Sequence, residues 1–258
     1  MVRLTCIVAL FLFASCTKEG ATKEDWIVVN GILVENEFAQ LSLSNAVGFD
    51  ETALPTPVTG ARVRLDGPTT SVLLTEIEGI PGRYSDTAGE MLLEADQSYR
   101  LVVTKDDQQL QAEATIPTPV NIVQSSATMI PINPASTGEP IYSIFWEQEN
   151  NISHVLKLDL QEDTFDEIPF SVNSGNFSTQ YAFPVPGQGT TVFDTDFNYY
   201  GTHLLTVYAI DEAYDALFFY QNGSGGDQVT EGLNNIDGGS GYFAGASKLE
   251  VELEIFEE

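Results

Sequence analysis

The chain has 258 residues, of which 43% are hydrophobic and 10% aromatic, so it can bury a core and is unlike acidic disordered chains. It carries 10 Lys and Arg against 38 Asp and Glu, a formal net charge of −28. Nucleic acids and anionic lipid head groups are bound through Lys and Arg clusters. The charge therefore excludes nucleic acid as a partner and predicts membrane contact only through an attached lipid.

The N-terminus has the order of a secretion signal. Arg3 precedes an apolar run over residues 7–13, and two small residues then lead to Cys16. The run is shorter than the about 20 residues that a membrane-spanning helix needs. Phe13-Ala14-Ser15-Cys16 resembles the bacterial lipobox, in which the cysteine accepts a diacylglycerol. We predict a signal peptide over residues 1–15, lipid attachment at Cys16 and a tether over 16–24; an ordinary cleaved signal is the alternative.

The residues after the cysteine indicate where in the cell the protein is located. Lys18 and Glu19 resemble the short Lys-plus-acidic signal that sends Bacteroidetes lipoproteins to the cell surface. We therefore expect a lipid-anchored protein of the outer membrane that faces the cell exterior. Cys6 lies within the signal, so the mature chain keeps one cysteine and forms no internal disulfide.

A first set of strands follows the tether. Alternating or continuous apolar runs bounded by Gly, Pro, Asn and Asp predict strands over 26–35, 39–44, 61–66, 71–77, 82–85, 99–104 and 110–116. The first of these contains Asn30-Gly31, where we expect an interruption. Seven short strands in this space are typical of an immunoglobulin-like or transthyretin-like sandwich, which we assign to residues 25–118.

A second set of strands begins after a proline-rich boundary. Pro117 and Pro119 lack amide donors and argue against a continuing central strand. We predict a second β domain over 119–258, a loop over 130–140, a short helix near 211–222, and strands over 141–146, 154–160, 177–183, 190–193, 203–210 and 249–255. The predicted fold class is all-β, with two consecutive sandwich-like domains whose strands do not pair with one another.

Catalytic and metal-binding patterns are sparse. His154 and His203 each begin a predicted strand without metal-ligand spacing, so a structural role is favoured. No Gly-x-Ser-x-Gly elbow, phosphate loop or dinucleotide fingerprint occurs in the sequence. We therefore expect a protein that is not an enzyme and that uses no cofactor and no metal.

One segment resembles the start of a calcium loop. Asp194, Asp196 and Asn198 alternate as oxygen ligands do, but Tyr199 and Leu205 stand where such a loop has glycine and a bidentate glutamate. Calcium is therefore not expected at this segment.

A glycine-rich segment precedes the last strand. Its candidate residues are Asn235, Gly238, Gly239, Gly241 and Phe243. Glycines permit positive φ and close backbone approach, and an aromatic side chain can anchor a loop by burial. We interpret residues 235–247 as a structural loop, with a ligand loop as the alternative.

Several segments together resemble a known family. They are Val29-Asn30-Gly31, residues 57–63, Pro81-Gly82-Arg83-Tyr84, Tyr99-Arg100-Leu101 and residues 234–247. This combination, with the lipobox, is similar to uncharacterised Bacteroidetes lipoproteins that are described only as a domain of unknown function. Ser240 departs from the apolar residue common there. Members are often encoded beside TonB-dependent receptors, so the resemblance implies an envelope role near a transporter and supplies no activity.

Three functions remain open from the sequence. The leading one is an accessory or interaction subunit of a TonB-dependent outer-membrane transporter. The second is a surface glycan-binding or peptide-binding lipoprotein that uses aromatic faces, for which the candidates are Trp26, Trp146, Tyr199, Tyr200, Tyr220 and Tyr242. The third and least favoured is a hydrolase with two carboxylates across a cleft.

Overall fold

The computed structural model describes residues 26–47, 54–135, 138–147, 152–164, 166–169, 180–185, 187–211 and 234–258. Cys16, Lys18 and Glu19 lie outside these ranges, as does the helix predicted near 211–222 except for its first residue. Within the described residues, no helix has the length and apolar character to cross a membrane. The described chain is almost entirely β, which confirms the all-β class.

The described residues of the first half of the chain form seven strands. They are β1 (Ile27–Val34), β2 (Gln40–Asn45), β3 (Arg62–Asp66), β4 (Ser71–Glu76), β5 (Arg83–Ser85), β6 (Ser98–Lys105) and β7 (Gln108–Thr115). Side chains in β1 alternate between buried and half-buried along its whole length. The expected interruption at Asn30-Gly31 is therefore wrong, because Gly31 stays in the ladder opposite Phe243 and Leu41.

Eight more strands lie in the part of the second half that the structure describes. They are β8 (Ile122–Ser125), β9 (Met129–Ile132), β10 (Pro140–Trp146), β11 (Ser153–Leu160), β12 (Gln180–Val185), β13 (Gly189–Phe193), β14 (Gly201–Ile210) and β15 (Ser240–Glu257). The 3-10 turn Asp194–Asp196 follows β13. The loop predicted over 130–140 is wrong in its first part, where β9 pairs in parallel with the end of β15.

The strands form one large sheet and one small sheet. The large sheet has the order β12-β11-β14-β15-β1-β2-β5-β4-β3-β6-β7, with β9 added beside β15. The small sheet has the order β13-β10-β8. At the far end of the large sheet, Gln111 of β7 exchanges two backbone hydrogen bonds with Asp237, just before β15, at 2.9 and 2.8 Å. The sheet of the first half is thus rolled until its two ends meet.

The last strand joins the two halves of the chain. Residues 240–246 of β15 pair in parallel with β1, and residues 246–255 pair antiparallel with β14. The expectation that residues 25–118 share no sheet with the remainder is therefore wrong. The prolines at 117 and 119 mark a local break, but an 18-residue strand is long enough to run along both halves and pair with each.

The buried side chains nevertheless form two main cores. One core takes its members from β1 to β7 with Ile236 and Phe243. The other takes its members from Val120 onward and includes Trp146, Phe197 and Leu253. We call the first core with its strands and residues 234–246 the N-terminal unit, and the second core with its strands and residues 247–257 the C-terminal unit. Both are sandwich-like, and the change of core falls at the proline-rich boundary.

Candidate functional site

The glycine-rich segment lies where the rolled sheet closes. Asn235 holds this closure through its side-chain amide. Its Oδ1 accepts the N–H of Phe243 at 2.9 Å, and its Nδ2 donates to the Phe243 carbonyl at 2.5 Å. The same Nδ2 lies 3.4 Å from the carbonyl of Glu113 in β7. The amide therefore takes the place of a neighbouring strand between β15 and β7, and Phe243 itself is fully buried.

The glycines permit the close approach that this closure requires. Gly241 has φ +107, and a Cβ added there would overlap the carbonyl oxygen of Val29 in β1. A Cβ at Gly239 would overlap the Leu110 side chain of β7. Gly238 forms the turn before β15 with φ +80. Most of the segment expected to be a loop is therefore strand, since β15 begins at Ser240.

Two further residues of the closure were missed by sequence reasoning. Asn234 donates from Nδ2 to the carbonyl of Gly239 at 3.0 Å and accepts the N–H of Ile236 at 3.1 Å. Asp211, at the end of β14, accepts the N–H of Gly245 through Oδ2 at 2.7 Å. The adjacent Asn pair before a glycine turn was the available signal, because such amides often replace backbone partners.

The outer face of the N-terminal unit carries a row of polar and aromatic side chains. Tyr242 of β15 is in register with Asn30 of β1. Asn30 is in register with Ser42 of β2, and Ser42 with Arg83 of β5. Adjacent strands lie about 4.8 Å apart, so this row spans roughly 14 Å. Together with Gln40 and other side chains the row lines a groove of about 270 Å³, which we call the outer groove.

The comparison with protein families supports the resemblance of these segments. The profile of the family described as Domain of unknown function (DUF4249) matches residues 17–252. The chain belongs to the DUF4249 family. A comparison with curated proteins finds no match. The matched range covers the N-terminal unit and most of the C-terminal unit, including residues 240–252 of β15, so the DUF4249 domain contains strands of both units together with the closure.

The two histidines are core residues of the C-terminal unit. His154 is 3% exposed and its ring lies 4.9 Å from that of Trp146. Burial lowers the pKa of His154 to about 4. Burial also lowers the pKa of His203, against the opposing effects of the Gly201 carbonyl and two nearby glutamates. Both rings are therefore neutral at pH 7, and Nδ1 of His203 is hydrogen-bonded to the carbonyl of Gly201 at 3.1 Å.

Two carboxylates of the calcium-like segment accept hydrogen bonds from backbone N–H groups. Asp194 is 1% exposed, and its Oδ1 accepts the N–H groups of Gly138 and Glu139 at 2.8 and 3.1 Å. Asp196 accepts the N–H of Phe193 at 2.8 Å, and burial raises its pKa. These bonds fix the turn after β13. Among the described residues, no group of three His, Cys, Asp or Glu side chains is placed to hold a metal ion.

An acidic cleft lies in the C-terminal unit. Its volume is about 540 Å³, and Glu162, Asp166, Glu254 and Glu257 contribute carboxylates to its lining. Thr202 connects two of them, since its N–H donates to Glu162 at 3.0 Å and its hydroxyl to Glu254 at 3.0 Å. This arrangement ties the start of β14 to the end of β15 and accounts for the clustering of Glu162 and Glu254.

The candidate stacking residues are distributed unevenly. Trp146 and Tyr199 are buried in the C-terminal core or beside it, at 1% and 5% exposure. Trp26 is exposed before β1, and Tyr200 is half-buried beside the acidic cleft. Tyr220 lies outside the described residues. Tyr242 is half-buried in the outer groove, whose polar lining includes amide and guanidinium groups, whereas the polar lining around Tyr200 is mostly carboxylates.

Proposed function

We propose that the chain is a non-enzymatic outer-membrane lipoprotein that serves as an accessory subunit of a TonB-dependent transporter. The observation that carries this proposal is the order of the N-terminus, where a short apolar run and two small residues lead to Cys16. The described fold begins close behind, with β1 starting at Ile27. The lipid would hold the protein at the membrane.

The tether and the charge support a protein that stands away from the lipid surface. Residues 17–23, if fully extended, reach roughly 23 to 25 Å. A chain with net charge −28 is repelled by anionic head groups. The lipid and the tether would then form a flexible anchor, and the folded units would be free to contact a protein partner. Lys18 and Glu19 would direct the anchored protein to the cell exterior.

Membership of the DUF4249 family and the resemblance to lipoproteins encoded beside TonB-dependent receptors favour a transporter as the partner. The small sheet offers a surface that suits such a contact. Phe145 of β10 and Phe193 of β13 both point outward from it and are 41% and 40% exposed. Exposed aromatic side chains are enriched at protein interfaces. We assign the contact with the transporter to this face of the small sheet.

Cross-linking in native outer membranes, followed by affinity purification and mass spectrometry, tests the partner. We expect a TonB-dependent receptor to be recovered with the wild-type chain and to be lost with a Phe145→Lys and Phe193→Lys variant. Leu73→Lys is the matched control, since Leu73 is 51% exposed on β4 of the other unit. Recovery of no such receptor, or equal loss with the control, would contradict the proposal.

Membrane fractionation tests the anchor separately. We expect Cys16→Ala to release the protein from membranes or to stop its processing. A variant that stays membrane-bound at mature size and in wild-type amount contradicts the lipoprotein assignment. Proteinase treatment of intact cells tests the orientation, and Lys18→Ala with Glu19→Ala is expected to convert an accessible protein into a protected one.

A further inference from the structure

We propose that the outer groove of the N-terminal unit binds a neutral sugar unit of a glycan. This assigns the protein a ligand of its own and does not depend on the transporter. Three segments that are far apart in sequence converge in the groove, since Asn30, Arg83 and Tyr242 come from β1, β5 and β15 and lie in one row across the sheet.

Polar groups in the groove are open to a ligand. Within the part of the chain that the structure describes, the side chains of Asn30, Gln40 and Arg83 make no hydrogen bond and no ion pair. Arg83 is notable because acidic residues outnumber basic ones by 38 to 10, yet no described carboxylate pairs with it. Glu37, at the side of the groove, is instead bound to Lys248 at 2.8 Å.

The chemistry of these groups matches hydroxyl groups. The amides of Asn30 and Gln40 each offer donors and an acceptor, and the Arg83 guanidinium offers a planar set of donors. Sugar hydroxyls both donate and accept, so amides can pair with them in either sense. Tyr242 and the 48% exposed Phe38 add aromatic surface for the C–H groups of a sugar ring.

The sheet itself argues for a sugar over a peptide. Extended peptides bind to sheets by adding a strand to a free edge. Here β15, β1, β2 and β5 are hydrogen-bonded to one another, so the groove lies on a sheet face and offers side chains only. The net charge of −28 disfavours an acidic glycan. A volume of about 270 Å³ is just below the common range of about 300 to 1,000 Å³ and suits one sugar unit.

A glycan array with neutral, acidic and peptide probes tests this, using the labelled full chain in detergent. Calorimetry with the strongest neutral glycan then compares the wild type with a Gln40→Ala and Arg83→Ala variant. The matched control is Arg62→Ala with Gln109→Ala, because these two exposed residues lie in a similar row across β3, β6 and β7. Both variants replace surface side chains, and circular dichroism checks that each is folded.

We expect binding to neutral glycans and a loss of at least about tenfold in affinity for the groove variant, since two hydrogen bonds disappear, one of them from a charged donor. The control should bind as the wild type does. Absence of neutral glycan binding, preference for acidic glycans or peptides, or an equal loss in the control would each overturn the proposal. None of these outcomes bears on recovery of the transporter.

Discussion

The two units are both sandwich-like, but only the C-terminal unit buries histidines. In the N-terminal unit the core tyrosines are bound to backbone: Tyr84 donates to the Val58 carbonyl at 2.9 Å, and Tyr99 accepts the N–H of Glu94 at 2.8 Å. In the C-terminal unit, His154 and His203 are buried as neutral rings. We therefore expect the stability of the N-terminal unit to depend on the geometry of its closure, and that of the C-terminal unit to depend on the protonation of its histidines.

The largest expected effect concerns the closure. Gly241→Ala should destabilise the protein by more than about 4 kcal/mol or prevent folding, because the new Cβ would overlap the Val29 carbonyl at a positive φ. Urea unfolding measures the change. Gly79→Ala is the control, since Gly79 also has positive φ but no atom lies within 4 Å of the added Cβ; it should cost about 1 to 2 kcal/mol. Equal costs would show that φ alone matters.

The second effect concerns the stability of the protein at acidic pH. The folded-state pKa of His154 is lowered from 6.5 to about 4, so the unfolded state binds the proton more readily. Stability should therefore fall as pH drops from about 6.5 to about 4, by about 3 kcal/mol from this residue. The unfolding free energy of wild type and His154→Phe, measured across this pH range, isolates the contribution. Parallel curves for the two proteins would contradict the assignment.

Acidic groups with raised pKa act in the opposite sense and must be separated from the histidine. Burial raises the pKa of Asp196, and burial with the nearby Asp96 raises that of Glu35. The contribution of each group to the stability of the fold is lost as pH rises through its folded-state pKa. They are present in both the wild type and His154→Phe, so the difference between the two curves removes their contribution.

The third effect concerns the amide that bridges the closure. Asn235→Ala removes the two hydrogen bonds to Phe243 and should cost about 2 kcal/mol. Hydrogen exchange at the start of β15 should rise with it, since the Phe243 N–H loses its acceptor. Asn121→Ala serves as control, because its amide bonds only the exposed Glu147 at 2.8 Å; its cost should stay within about 0.5 kcal/mol.

The smallest effect concerns the ion pairs of Lys248. Its ammonium group contacts Glu37 at 2.8 Å and Glu250 at 3.1 Å, and these raise its pKa to about 12. All three side chains are partly exposed, so Lys248→Met should cost only about 0.2 to 1 kcal/mol. The cost should shrink in 1 M salt, where charges are screened within about 3 Å. A salt-independent loss would indicate packing by the lysine stem instead.

Most strands followed from local pattern, although β8 and β9 were not predicted. The alternation of Leu249, Val251 and Leu253 with charged residues predicted the second half of β15, and the structure places Leu253 in the core. The sequence also indicated where the core changes, at Pro117 and Pro119. Period-two patterning is a property of one strand and its two faces, so it can be seen without knowing the partner strand.

The pairing of β1 with β15, the closure through Asn235 and the row from Tyr242 to Arg83 were decided only by the tertiary structure. Each joins residues that are distant in sequence, and register between distant strands is fixed by packing and chain closure instead of local propensity. The sequence by itself determined an acidic all-β chain with glycines before its last strand. It could not show that Asn30, Ser42 and Arg83 meet on one face, because their spacing carries no period.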